Sequence, residues 1–154
     1  MFFKKNKDGS TEKKELLYRE NIRVNCKADT QEAVIRQVGQ MLVDSGYVEP
    51  AYVEAMLERE HSFSTFMGNG LALPHGVEAA KKDIRASGIA VMTFPEGTDW
   101  GGNQVNVVIG IAGVGEEHLQ ILSVIADKML DEEAAAQVVS GDADAVYQIL
   151  KGEE

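Results

Sequence analysis

Apolar residues recur at helical spacing in the first third of the chain and again near its end. This spacing predicts five helices, near residues 29–46, 50–60, 116–130, 132–139 and 142–150. At the first of them, Asp29 and Glu32 have the spacing of a capping box, and Gly46 follows the last periodic residue. Pro50 suits the first turn of the second helix. Helices are therefore predicted on both sides of the middle of the chain.

The middle of the chain carries strand patterns instead. Residues 87–94 and 105–112 are apolar, β-branched runs, and the turn-rich segment PEGTDWGGN separates them. They are predicted to be two buried strands at the centre of a sheet. Earlier, two short extended runs flank the Gly-Asn-Gly of residues 68–70, which is the composition of a tight β-hairpin. The segment NIRVNCK around Cys26 is also strand-like.

This order of elements indicates the fold class. Helices first, strands in the middle and helices last predict an α/β fold, a single layered domain with a mixed β-sheet of about five strands covered by helices on both faces. Residues 1–15 are polar and lysine-rich with no apolar period, which predicts a flexible tail before a domain over residues 16–151.

Composition narrows the class of function. No apolar run approaches the roughly 20 residues that span a bilayer, and the N-terminal sequence has no signal-peptide pattern, so we expect a cytoplasmic protein without membrane insertion. The net charge is −10, which argues against a nucleic-acid partner. An acidic body would suit basic protein partners, although it is equally typical of a solvated surface. The single cysteine, Cys26, excludes an internal disulfide and a thiolate metal site.

Histidine is the residue type on which candidate chemistry centres. His61, His75 and His118 match no metal-binding spacing, and neither a G-x-S-x-G nor a G-x-x-x-x-G-K-[ST] motif occurs. His75 lies between Pro74 and Gly76, so its imidazole is held by stiff backbone and left uncrowded. Such a histidine can act as a nucleophile, and a surface role in a loop is as consistent with the residues alone.

A phosphorylated His75 would need neighbours that hold the phosphoryl oxygens. The available candidates are Arg59, His118 and the hydroxyls of Ser64 and Thr65. Arg59 is also typical of a surface salt bridge on a helix, and His118 of a solvated residue in a first helical turn. The residues alone leave both interpretations open.

Three segments, EREHSFSTFMGNGLALPHG, FPEGTDWGG and VVIGIAGVGEEHLQIL, resemble the enzyme IIA components of the bacterial sugar phosphotransferase system, specifically the mannitol type. The resemblance implies that His75 accepts a phosphoryl group from the carrier protein HPr and passes it to a cysteine of enzyme IIB, whose IIC partner phosphorylates mannitol during uptake. It also implies that His118 assists and that Arg59 stabilises the phosphoryl group, with no metal or organic cofactor. Some mannitol-type members have an acid at the position of Asn69, so the charge around His75 is expected to differ from theirs. Asn69 is also a candidate for contact with the substrate or a partner.

Transient exchange of partners predicts a modest docking patch around Met67, Leu73 and His75. Three alternatives remain open at this point. The chain could be a regulatory module of the same fold whose phosphorylation changes its choice of partner, or a fructose-type enzyme IIA. An unrelated hydrolase that uses His75 is the third, and no spacing supports it.

Overall fold

The computed structural model describes residues 15–151. Its helices are α1 (Gln31–Asp44), α2 (Ala51–Ser62), α3 (Glu117–Leu130), α4 (Glu132–Ser140) and α5 (Ala143–Leu150). Its strands are β1 (Ile22–Arg23), β2 (Phe66–Gly68), β3 (Leu71–Ala72), β4 (Gly88–Trp100) and β5 (Asn103–Ala112). Short 3₁₀ helices span Arg19–Asn21 and Glu78–Asp83. The tail predicted over residues 1–15 lies, apart from Glu15, outside the described residues.

The described strands form one mixed sheet in the order β1-β4-β5-β3-β2. β4 and β5 pair antiparallel at its centre, whereas β1 pairs parallel with β4, and β3 pairs parallel with β5. β2 and β3 form the antiparallel hairpin predicted around Gly-Asn-Gly, whose three residues all have positive φ. The central position of the two long strands is confirmed.

Alternating strand residues build a separate apolar core on each face of the sheet. On one face, Ala90 and Met92 of β4 pack beneath α1 and α2. On the other, Ile89 and Val91 pack against α3, α4 and α5. This period-2 alternation of side chains leaves both faces buried. The predicted fold class, a layered α/β domain with helices on both faces of a five-stranded mixed sheet, is thereby confirmed.

Two local predictions about the helices are wrong. Helix α1 is capped by Thr30, whose side chain accepts a hydrogen bond from the Ala33 N–H, and not by Asp29. Glu32 does not close a capping box either, because its carboxylate binds Arg36 one turn later. The second helix is also longer than predicted, because His61, which follows the predicted end at residue 60, lies in the last turn of α2.

The segment PEGTDWGGN is mostly strand. β4 continues through Trp100, and only Gly101 and Gly102 form the turn to β5. The pairing register shifts between Thr93 and Thr98, so a bulge takes up Pro95 and its neighbours without ending the strand. No helix within residues 15–151 has the length and apolar content that crossing a membrane requires.

Candidate active site

His75 is held at the end of the hairpin, where the chain leaves β3. The Ile111 N–H of β5 donates to the Pro74 carbonyl at 2.9 Å, which fixes the backbone beside the imidazole. The Nδ1 atom of His75 lies 2.8 Å from the carbonyl oxygen of Leu73. Because a carbonyl oxygen can only accept, Nδ1 carries the proton and Nε2 carries the lone pair. The half-buried ring therefore presents a nucleophilic Nε2.

Tyr52 of α2 holds the other side of the same turn. Its hydroxyl donates to the Ile111 carbonyl and accepts from the Gly76 N–H, each at 2.9 Å. A Cβ at Gly76 would lie 2.6 Å from the Tyr52 ring, so glycine allows this approach. Burial raises the pKa of Tyr52 to about 12, so the phenol stays protonated. Tyr52 cannot be recognised from the sequence, where its position is typical of an ordinary residue in an amphipathic helix.

His118 comes to His75 from the first turn of α3. The two ring centroids are 5.1 Å apart and the ring planes are inclined by 62°. Gly113, at the end of β5, allows the helix to start this close, because a Cβ there would lie 2.4 Å from the Cα of His118. The convergence of His75 and His118, which could not be derived from their spacing, is present in the structure.

A cavity of about 210 Å³ lies between these elements. Its lining combines the two histidines with charged, aromatic and small residues: Tyr52, Arg59, His75, Gly76, Glu78, Lys81, Ile84, Gly113 and His118. Arg59 and Lys81 are the two cations of this lining, and Glu78 is its one acid. The cavity therefore has room and positive charge for a small anionic group beside His75.

Arg59 lies in the last turn of α2, at the edge of this cavity. Its Nη1 donates to the Phe63 carbonyl, and its guanidinium lies 5.4 Å from the centroid of the Phe63 ring. No carboxylate pairs with it among the ion pairs of residues 15–151, in contrast to Arg36, which binds two. The surface salt-bridge interpretation of Arg59 is therefore not supported, and its remaining N–H groups are available to an anion.

Both histidines are electrically neutral at neutral pH. Burial lowers the pKa of His75, and the positive charge of Arg59 lowers it further. Burial also lowers the pKa of His118, with additional contributions from His75 and Lys81. A neutral imidazole retains its lone pair, so His75 is ready to attack an electrophile without first losing a proton.

The lowered pKa values predict a pH dependence of stability. Between each folded-state pKa and about 6.5, the unfolded chain binds more protons than the folded chain. The free energy of unfolding should therefore rise with pH through this window and fall as acid protonates the two rings. NMR titration of both imidazoles should give midpoints below 6.5, and denaturant unfolding at several pH values should follow the same sign. A His75→Gln, His118→Gln double variant should lose this part of the dependence; midpoints above 6.5 would contradict it.

Ser64 and Thr65 do not reach the cavity. Both hydroxyls bind the carboxylate of Glu60, that of Thr65 at 2.6 Å, and Thr65 is buried. The prediction that these hydroxyls hold phosphoryl oxygens is not supported, because their hydrogen-bonding capacity is directed at Glu60 and neither residue lines the cavity.

Three predicted partner contacts fall in different surroundings. Met67 is exposed on the edge strand β2, as a docking residue needs to be. Leu73 is only 2% exposed and packs in the core with Ile111, so the prediction that it contacts partners is wrong. Asn69 is exposed at the hairpin tip, but about 16 Å of extended chain separates residues 70 and 75. It does not line the cavity beside His75.

Glu60 is a residue that sequence reasoning missed. Its carboxylate accepts hydrogen bonds from Gln31 of α1, from the Trp100 indole of β4, and from Ser64 and Thr65 after α2. One carboxylate thus joins two helices, the sheet and the loop that leads into β2. The same loop contains the Phe63 carbonyl that binds Arg59. Glu60 therefore stabilises the backbone on which Arg59 rests.

Replacing Glu60 with alanine should cost about 3 kcal/mol in the free energy of unfolding, because partly buried donors such as the Trp100 N–H lose their acceptor. Denaturant unfolding measures this cost. Glu58→Ala, an exposed position on the same helix, is the matched control and should change stability by less than about 0.5 kcal/mol. Equal effects at the two positions would contradict the structural role of Glu60.

Metal chemistry has no evident donor set here. Within residues 15–151, no group of three or more His, Cys, Asp or Glu side chains is arranged to hold a metal ion. Arg59 and Lys81 line the same cavity as the two histidines, and their positive charges would repel a metal ion there.

Comparison with known proteins gives a consistent result. Residues 15–153 match the family model "Phosphoenolpyruvate-dependent sugar phosphotransferase system, EIIA 2". The mannitol-specific phosphotransferase enzyme IIA component of Staphylococcus aureus is 44% identical over 138 residues, which cover 89% of this chain and 96% of that protein. The corresponding component of Halalkalibacterium halodurans is 48% identical over 125 residues, or 81% of this chain and 86% of that protein.

A solved structure agrees with these sequence relatives. The complex of mannitol enzyme IIA with phosphorylated enzyme IIB from Escherichia coli contains a chain that superposes with a TM-score of 0.83 at 36% identity. The match covers 89% of this chain and 98% of that chain.

Proposed function

The chain belongs to the EIIA 2 family of the phosphoenolpyruvate-dependent sugar phosphotransferase system, and from that premise we propose that it carries a phosphoryl group on His75 between HPr and enzyme IIB during mannitol uptake. The observation that carries this proposal is the hydrogen bond from Nδ1 of His75 to the Leu73 carbonyl. It leaves Nε2 as the nucleophile beside a cavity that contains two cations.

The transfer consists of two displacements at phosphorus. In the first, the Nε2 lone pair attacks the phosphorus atom of phosphorylated HPr, and the bond between phosphorus and HPr breaks with its electron pair leaving on HPr. In the second, a cysteine thiolate of enzyme IIB attacks, and the Nε2–P bond breaks with its electron pair returning to the imidazole. The proton stays on Nδ1 throughout, where it is donated to the Leu73 carbonyl in a hydrogen bond, so no proton transfer is needed.

Positioning and charge are what the protein contributes to these steps. A loose, roughly in-line phosphoryl transition state requires little bond-making by the catalyst but does require alignment and neutralisation. The hydrogen bonds of the Pro74 carbonyl and the Gly76 N–H fix the backbone on both sides of His75. Arg59 supplies N–H donors at the equatorial oxygens, and neutral His118 can donate one further hydrogen bond. Neither step calls for a metal or organic cofactor.

Exposed apolar side chains border the cavity and can receive protein partners. Phe63 is 71% exposed and contacts Arg59, while Val114 and Leu119 adjoin the cavity residues Gly113 and His118 in the chain. We place the docking patch on these three residues in addition to Met67, and without Leu73. Its small size suits partners that must leave quickly, and exposed acids nearby suit basic partners. The proposed partners imply that the protein is cytoplasmic. It would contact the membrane only transiently, through the partner that contains enzymes IIB and IIC.

Transfer to the permease distinguishes this proposal from its alternatives. Phosphorylated chain, freed of HPr, is added to membranes that contain mannitol IIBC, and mannitol phosphate is measured. We expect stoichiometric formation of the product. Phosphorylation of His75 without transfer to any IIBC would favour the regulatory module, and transfer only to a fructose permease would favour the fructose type. Hydrolysis of a simple phosphoester without partners would favour the hydrolase.

A further inference from the structure

Lys81 is a second cation beside His75 that the sequence did not single out. It lies on the 3₁₀ helix Glu78–Asp83, which follows directly after the Pro-His-Gly turn. Its side chain lines the same cavity as the two histidines and Arg59. The next residue, Lys82, is 79% exposed at its side chain and does not line the cavity. Two adjacent lysines thus differ in their access to the candidate site.

The present partner of Lys81 holds it weakly. Its Nζ lies 3.8 Å from Oε1 of Glu78, which is too long for a hydrogen bond. The Glu78 side chain is 88% exposed and that of Lys81 is 37% exposed, so solvent screens the pair and little is lost when it opens. The charge of Lys81 nevertheless reaches the site, because it lowers the pKa of both His75 and His118.

Arg59 alone leaves a phosphoryl group on Nε2 incompletely neutralised. Its oxygens carry two negative charges when the group is fully ionised, whereas one guanidinium carries a single positive charge, and the positive charge of the phosphorylated imidazole lies on the ring and not at the oxygens. One N–H of Arg59 is also committed to the Phe63 carbonyl. A second cation within reach would balance the charge, and Lys81 is the remaining cation among the described residues of the cavity lining.

We propose that Lys81 leaves Glu78 when His75 is phosphorylated and binds the phosphoryl oxygens as a second cationic ligand. This inference rests on the proposed function and assigns a further residue to the same site. A lysine ammonium on a flexible stem can follow the phosphoryl group as it moves between donor and acceptor. Glu78 competes for the same ammonium, which keeps the phosphorylated state from becoming too stable for onward transfer.

The equilibrium of phosphoryl groups between HPr and this chain tests the proposal. Each variant is incubated with enzyme I, HPr and a limiting amount of labelled phosphoenolpyruvate. The ratio of phosphorylated chain to phosphorylated HPr is then measured. Lys81→Gln should lower the ratio about 5- to 10-fold, and Lys81→Arg should restore most of it. Glu78→Gln should raise the ratio, because the ammonium loses its competitor. A merely structural role of the pair would not give opposite signs.

Lys82→Gln is the matched control, since it makes the same change in net charge on the same 3₁₀ helix. It should alter the ratio less than about twofold. The inference is overturned if Lys81→Gln matches Lys82→Gln, or if Glu78→Gln lowers the ratio as Lys81→Gln does. If the wild-type chain takes no label on His75, the proposed function fails instead, so the two failures are distinguishable.

Discussion

His75→Gln should take no label above background when the chain is incubated with labelled phosphoenolpyruvate, enzyme I and HPr. Glutamine approximates the polarity of the imidazole but has no nucleophilic ring nitrogen, so no covalent bond to phosphorus can form. Its effect is the largest that we expect, because the other candidate residues only stabilise the group that His75 carries. Autoradiography of the separated proteins, with mass spectrometry of the labelled peptide, measures it.

His61→Gln is the control for this experiment. His61 is exposed in the last turn of α2 and does not line the cavity. The variant should therefore accept phosphate at the wild-type rate. Equal labelling of His75→Gln and the wild-type chain would remove His75 from its proposed role.

Arg59→Gln should lower the rate of transfer from phosphorylated HPr by about 10²- to 10³-fold, the usual effect of removing one preorganised donor from a developing charge. The loss should fall mainly on the rate at saturating HPr, because the guanidinium acts on the moving phosphoryl group. Rapid-quench kinetics at several HPr concentrations separate this rate from the affinity for HPr. The variant also loses the hydrogen bond from Arg59 to the Phe63 carbonyl. Thermal unfolding of the same variant measures how much stability this loss costs.

Two further variants sharpen the test of Arg59. Arg59→Lys keeps the charge but not the planar fork, so an intermediate rate is expected. Arg36→Gln removes an arginine that binds Glu32 and Glu54 away from the cavity, and should leave the rate unchanged. If Arg59→Gln and Arg36→Gln have the same rate, Arg59 does not stabilise the transferred group.

Most of the fold could be predicted from the spacing of apolar residues. The five helices and the two central strands lie close to where the pattern puts them, because each buries a stripe or face with its own period. The end of β4 could not be predicted this way. Pro95 and Gly97 are typical of turns, and only pairing with β5 through a bulge keeps them in the strand.

The site was harder to predict than the fold, since it depends on contacts between residues distant in sequence. From the residues alone, His75 is an imidazole between a proline and a glycine, and Arg59 and His118 are only candidate neighbours. The family resemblance is what assigns those two residues roles in the site. Glu60 and Tyr52 gave no sequence signal, because their roles arise from hydrogen bonds to other elements. Leu73 was misjudged, since its neighbour His75 is half-buried while Leu73 itself points into the core.

The most direct test of the account is to identify the phosphorylated atom. The chain is labelled with ¹⁵N at its histidines, phosphorylated through HPr, and studied by ¹H–¹⁵N correlation spectra with ³¹P coupling. We predict that phosphorus couples to Nε2 of His75, while Nδ1 keeps its proton and its hydrogen bond to the Leu73 carbonyl. Coupling to Nδ1 of His75, or to any other residue, would contradict the account.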